Sequence, residues 1–256
     1  MKHTLTLAAW NIRLARRSLM LVWGVFAAQQ LALIAWNAAR PNGAGAGLAS
    51  HYSTTAQIYI YLAFYLITAL AAGEATHNSR HARSGYTWAT LPGTPVQKFT
   101  AKAITIAAAE VVFAAWQFVW YIVEFYPVTA LEVHLARKLY GAALPPANLY
   151  EQVVANNLFS RLLPRRPLQL VILLGILALS ALLLAALDTV RGWRKMPVFA
   201  VGGLCAWQCF YLVTVEQHPE WMFTSASRNV TMALAAVLAV LTVRWAVRSI
   251  RRGETC

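Results

Sequence analysis

The chain has 256 residues, of which 59% are apolar and 12% are charged. A soluble domain carries roughly 25% charged and about 45–50% apolar residues, so an ordinary soluble domain is excluded, and 3 Cys are too few for a disulfide scaffold. In a soluble protein, a net charge of +13 would suggest a nucleic-acid partner. In so apolar a chain, no nucleic-acid partner is expected, and the distribution of the basic residues among the loops instead indicates how the protein is oriented in the membrane.

Six apolar segments are predicted to cross the lipid bilayer. A membrane helix needs ~20 mostly apolar residues, and stretches with at most one charged residue supply them. The last stretch is short, but the long side chain of Arg244 can reach the membrane surface and extend it. In chain order the predicted spans are 18–38, 56–73, 103–123, 168–187, 198–215 and 230–247. The expected fold is an all-α integral membrane protein, with residues 1–256 forming a single transmembrane domain.

The distribution of basic residues predicts that both termini are cytoplasmic. Six spans place the termini on one side, and if that side is the cytoplasm, 15 basic residues lie inside and 7 outside. The loop 124–167 would then be extracellular. It is predicted to hold two short helices, one from the apolar repeat that begins at Val128 and one capped by Asn148, with Glu151 completing a capping box. These helices are interpreted as a cover for the pathway or as a simple spacer.

The sequence predicts no catalytic residue, metal site or cofactor on this chain. No Lys follows a Gly, so the phosphate-binding loop of P-loop ATPases is missing. His77 and His81 are four residues apart, but without a third ligand nearby they are interpreted as polar loop residues.

The loop between the second and third spans, residues 74–102, is the most distinctive stretch. A short mixed helix is predicted to end at Leu91, followed by a rigid turn in which Thr94 caps the next helix and Pro95 occupies its first turn. An exposed Trp88 beside Leu91 would need a groove on a partner protein. The alternative is an amphipathic helix that touches only lipid.

The residues of this loop resemble those of a known family. The pattern consists of Arg83-Ser84-Gly85, Leu91-Pro92, Thr94-Pro95-Val96, Lys98 and Lys102. It is similar to the loop between spans two and three of ABC type-2 permeases, the membrane subunits of many bacterial drug, peptide and lantibiotic exporters. The N-terminal basic helix over residues 5–17, the six spans and the cytoplasmic termini also resemble that family.

The resemblance implies a permease subunit in a bacterial plasma membrane that exports a peptide, lantibiotic or drug-like substrate. A separate ATP-binding subunit would bind ATP and magnesium and would dock on this loop, and a second permease subunit, identical or a sister chain, would complete the pathway. The N-terminal amphipathic helix and a coupling helix in the loop would both be cytoplasmic. The docking residues implied in this chain are Arg83, Gly85, Trp88, Leu91, Pro92, Pro95, Val96, Lys98 and Lys102.

Four polar residues on the third span form a second candidate site. Glu110, Gln117, Tyr121 and Glu124 fall within ~60° of one another around a helix. An acid at membrane depth costs ~2.5–3.5 kcal/mol on insertion scales, so this face is predicted to point away from lipid. It is interpreted as lining the transport pathway. The alternative is that Glu110 pairs with Lys102 or Arg244 and only fixes the packing.

Two other function classes stay open from the sequence. A membrane-embedded enzyme would need a catalytic pair such as Glu110 against His134. The substrate-binding subunit of an energy-coupled vitamin importer would also have six spans, but would be expected to lack the Leu91-to-Pro95 turn as a docking site.

Overall fold

The part of the chain that the structure describes is almost entirely helical. The computed structural model describes residues 2–39, 48, 52, 57–74, 91–141, 148–156, 158–159, 163, 167–190, 193, 195–217 and 226–252. These residues form seven helices and no strand: α1 (Lys2–Ala39), α2 (Gln57–Glu74), α3 (Pro95–Tyr140), α4 (Leu149–Ala155), α5 (Pro167–Thr189), α6 (Lys195–Gln217) and α7 (Ala226–Arg251). The predicted all-α class is therefore confirmed for this part of the chain.

Within the described part of the chain, three helices are long and apolar enough to cross a membrane, which indicates membrane association. They contain the apolar stretches His3–Trp36, Pro95–Lys138 and Ala233–Arg251. Shorter apolar stretches lie in α2, α5 and α6, so the six predicted spans fall within helices, except for residue 56, which lies outside the described residues. Many large apolar side chains on these helices are exposed, as lipid contact requires; Val171, for example, is 65% exposed.

The third helix is longer than the sequence suggested. Residues 124–140 continue α3 and do not form a separate short helix. Of the two short helices predicted between residues 124 and 167, the first was therefore wrong, and the second is present as α4. Pro127 lies inside α3. A proline removes one backbone hydrogen bond, but its ring here lies on the exposed side, where the helix can bend without disturbing the buried face.

The C-terminus of α3 has a clear local cause. Gly141 adopts a left-handed conformation with φ 65°, which side chains larger than hydrogen disfavour. Its N–H donates to the carbonyl of Arg137 at 3.1 Å, the hydrogen bond of a left-handed helix cap. Arg137 and Lys138 lie in the last turn, where cations favour the negative end of the helix dipole.

Backbone contacts divide the chain into two compact units. The first unit comprises residues 1–18, 69–109 and 171–256, and the second comprises residues 19–68 and 110–170. In the first unit, Leu183, Cys205, Ala235 and Ala239 form an apolar cluster between α5, α6 and α7. The core of the second unit is aromatic, and Phe26, Tyr61, Phe113, Tyr121 and Phe159 are among its most buried side chains.

Candidate functional site

The turn that starts α3 is fixed by a reciprocal pair of hydrogen bonds. The Thr94 hydroxyl accepts from the N–H of Gln97 at 3.2 Å, and the Gln97 side-chain oxygen accepts from the N–H of Thr94 at 2.9 Å. This is a capping box, and Pro95 is the first residue of the helix. The predicted cap and turn are therefore confirmed. Gly93 has φ 149°, a backbone conformation that favours glycine, so this position of the turn requires a glycine.

The N-terminal part of α1 holds this turn in place within the first unit. The Nε2 atom of His3 lies 2.6 Å from the carbonyl oxygen of Pro92. Below this contact, Leu7 and Ala8 pack against Ala101, with Leu91 at the edge of the cluster. The turn is thus anchored to α1 by one polar contact and one apolar cluster.

The residues implied as a docking surface separate into three groups. Pro92 and Val96 are exposed and Leu91 is half-buried, so these side chains are available to a partner. Lys98 and Lys102 are only 8% and 6% exposed, so these two side chains are buried in this conformation and do not present a surface to a partner. Arg83, Gly85 and Trp88 lie outside the described residues, as does the short helix predicted to end at Leu91.

Lys102 forms an ion pair with Asp188 on α5, inside the first unit. The alternative interpretation from the sequence had assigned Lys102 as a partner of Glu110. Arg244, the other basic residue considered there, is exposed. Asp188 also packs against Gly73 of α2, so the ion pair lies where α2, α3 and α5 meet.

The polar face of α3 is buried in the second unit, as predicted. Glu110, Gln117, Tyr121 and Glu124 are each at most 1% exposed, so none faces lipid. The Gln117 side-chain amide donates to the Tyr52 hydroxyl at 3.0 Å, and the Tyr52 hydroxyl donates to Oε2 of Glu124 at 2.8 Å. Burial raises the pKa of the Tyr52 phenol well above its ordinary value, so the phenol keeps its proton and acts as this donor.

Aromatic rings and the chain around α4 close over this polar face. The Tyr121 ring packs edge-on against Tyr52 and Phe159, with ring centroids 5.1 and 4.7 Å apart. The Tyr121 hydroxyl donates to the carbonyl of Gln152 at 3.0 Å. Asn148 caps α4 by accepting from the N–H of Tyr150, which confirms the predicted helix start. The face predicted to line a pathway is therefore packed shut in this conformation.

Sequence reasoning missed two members of the second unit's polar interior. Tyr52 precedes the second span in a stretch without periodicity, so no pattern marked it as a partner of α3. Gln57 starts α2 and receives side-chain hydrogen bonds from Gln29 and Gln30 at 3.4 and 3.5 Å. A polar pair such as Gln29-Gln30 inside an apolar span indicates that a polar partner lies nearby in the fold. The pair does not indicate which residue of the chain that partner is.

The enzymatic alternative considered from the sequence was a catalytic pair of Glu110 and His134. Glu110 and His134 lie 24 residues apart on the continuous α3, ~36 Å of helix rise, so they do not form the catalytic pair that an enzyme would need. Among the described residues no group of three or more His, Cys, Asp or Glu side chains is placed to hold a metal ion.

No family model matches the chain, and no curated protein or solved structure matches it significantly. Family membership therefore stays a hypothesis that rests on residues 83–102 and on the predicted layout of spans.

Proposed function

We propose that this chain is the membrane-spanning permease subunit of an ABC transporter. In this proposal it exports a peptide, lantibiotic or drug-like substrate across a bacterial plasma membrane, with both termini in the cytoplasm. A separate ATP-binding subunit supplies the energy, and a second permease subunit completes the pathway. Six spans, with α1 beginning as a cytoplasmic amphipathic helix, belong to the same proposal.

The turn from Leu91 to Gln97 is the observation that carries the proposal. A docking site for a moving partner must transmit a rigid-body displacement, and a flexible loop would absorb it. Here the capping box fixes the backbone at Thr94 and the His3 contact ties the turn to α1. Because Val96 is 55% exposed beside this rigid backbone, the turn offers an apolar contact point for a partner.

Co-purification with the ATP-binding subunit tests this function. Leu91→Asp and Val96→Asp, with Trp88→Asp as a third change, should abolish association while the protein stays in the membrane, because an aspartate in an apolar contact loses its solvation. Tyr150→Asp is the matched control, since Tyr150 is 74% exposed on α4 and far from this turn in sequence. Unchanged association of the triple variant would contradict the proposal.

A further inference from the structure

Glu124 is sealed inside the second unit. Its exposed fraction is 0%, so nothing as large as a water molecule touches the side chain in this conformation. Gln117 and Tyr121 lie on the same face of α3 and are equally buried. A group enclosed in this way has no space for a metal ion with its waters or for an organic ligand. The ligand that it can hold without any rearrangement is a proton.

The hydrogen bonds around Glu124 are too few for a carboxylate ion. Among the described residues, its one donor is the Tyr52 hydroxyl, which contacts Oε2, and its Oε1 has no hydrogen-bond partner. The Tyr52 oxygen in turn accepts from Gln117, which commits the phenol proton to Glu124. Buried carboxylates that stay ionised are matched by a cation or by two or three donors. One neutral phenol does not replace the lost hydration.

No cation among the described residues compensates for the missing hydrogen-bond donors to Glu124. The parts of α1 and α2 in the second unit, residues 19–39 and 57–68, contain no charged residue or histidine. Among the described residues, the titratable groups that face Glu124 are the phenols of Tyr52 and Tyr121. The ring of Phe159 packs against both tyrosine rings.

The other charged groups of the described second unit are either acids farther along α3 or side chains on its exposed surface. Along α3, Glu132 and Glu110 are acids eight and fourteen residues away, ~12 and ~21 Å of helix rise. The remaining charged groups of the described second unit are exposed: His134, Arg137, Lys138 and Glu151. None of these described groups is a cation beside Glu124, so burial of the carboxyl group is left to favour the neutral acid.

We propose that Glu124 is a proton-binding site, whose carboxyl group carries a proton on Oε1 at pH values where an exposed glutamate is ionised, while Oε2 accepts from Tyr52. Loss of the proton leaves a buried charge with a single donor, so release requires the packing between Tyr52 and α3 to loosen. Proton occupancy of Glu124 thus controls whether Tyr52 stays packed on α3. This inference goes beyond the proposed transport function and does not depend on it.

Infrared spectroscopy of the full chain in lipid nanodiscs tests the proposal directly. The carbonyl band of a protonated carboxyl group should be present near neutral pH in the wild type and should lose the contribution of one group in Glu124→Gln. Glu151→Gln, which changes an exposed acid on α4, should leave the band unchanged. If the neutral-pH spectra of the wild type and Glu124→Gln show the same acid band, Glu124 is ionised and the proposal is wrong.

A second measurement keeps the proposal testable even if Glu124→Gln fails to fold. Tyr52→Phe removes the one donor that stabilises the ionised form, so the pH midpoint of the acid band should rise. The opposite result, an unchanged or lowered midpoint, would overturn the assignment. So would a wild-type midpoint near the ordinary glutamate value of about 4.3.

Thermal unfolding in detergent gives the corresponding stability test. The folded chain is proposed to hold this proton more tightly than the unfolded chain, so stability is fully present at low pH and is lost as the pH rises. Glutamine mimics the protonated acid, so the wild type should lose stability relative to Glu124→Gln as the pH increases. Parallel pH profiles for the two proteins would contradict the proposal.

Discussion

Lys102 of α3 and Asp188 of α5 pair with each other inside the first unit, where both side chains are largely buried. Breaking a buried ion pair by removing one partner is strongly destabilising, so we expect Lys102→Met to lower the free energy of unfolding by about 3–5 kcal/mol. The double variant Lys102→Met/Asp188→Leu should recover most of this loss. Denaturation in detergent measures both effects. Lys138→Met, an exposed change on the same helix, is the control, and an equally small effect of Lys102→Met would show that the pair contributes nothing.

Gly73 is expected to be intolerant of a side chain because of the same aspartate. An added Cβ would lie 3.3 Å from Cγ of Asp188, closer than most such contacts. Helix propensity alone would favour alanine over glycine by ~1 kcal/mol, but overpacking costs ~1–3 kcal/mol, so Gly73→Ala should destabilise. Gly175→Ala in α5 is the matched control, because its Cβ would meet nothing within 4 Å. If both variants raise the melting temperature equally, the close approach to Asp188 is unimportant.

The capping box at the start of α3 should be measurable as local stability. Thr94→Ala removes the acceptor of the Gln97 N–H and should cost about 0.5–2 kcal/mol. Amide hydrogen exchange at Gln97 reads this loss directly. Thr94→Ser keeps a hydroxyl at the same place and should retain most of the protection. Equal exchange rates in Thr94→Ala and Thr94→Ser would show that the hydroxyl does not cap the helix.

The proposed topology predicts opposite accessibility for two cysteines. In a chain whose single cysteine is introduced by Tyr150→Cys, that cysteine should react with a membrane-impermeant thiol reagent added to intact cells, because Tyr150 is 74% exposed on α4. In a second chain that keeps Cys256 as its single cysteine, Cys256 should react only after the cells are opened. Labelling of Cys256 in intact cells would reverse the orientation and remove the cytoplasmic docking turn from the proposal.

Glu110 tests whether the buried polar face of α3 takes part in transport. Glu110→Gln should preserve assembly and basal ATPase activity of the complex but reduce substrate-stimulated activity and export, if this face opens to substrate during the cycle. A packing role predicts something different, a loss of ~1–3 kcal/mol of stability with activity falling in proportion to folded protein. Full export by a normally stable variant would reject both roles.

Local rules and helical periodicity were sufficient for part of this molecule. The start of α3 followed from Thr94 and Pro95, since capping depends on a few adjacent residues. The burial of Glu110 and Gln117 followed from their spacing, because a 3.6-residue period places them on one face.

Contacts between distant parts of the chain could not be predicted in the same way. Asp188 ends a different apolar stretch, and nothing in its neighbourhood indicates Lys102 as its partner. Tyr52 lies in a segment without a pattern, so its bond to Glu124 emerges only when the chain is folded. The length of α3 was missed for a related reason. Pro127 and Glu124 read locally as the end of a span, but the buried face of the helix continues past them through Val128 and Glu132.

The helix α3 is longer than a bilayer is thick. With 46 residues the helix measures ~69 Å, whereas a bilayer with its headgroups is only ~40–45 Å thick. Even at a tilt of about 40°, the upper end of the range for membrane helices, it would extend ~53 Å along the membrane normal. If α3 crosses the membrane, it therefore extends beyond at least one membrane surface. If residues 124–140 formed a loop flat on the lipid, Arg137 and Lys138 would lie at the headgroups. As the last turns of a continuous helix, they can instead lie in the water beyond the headgroups.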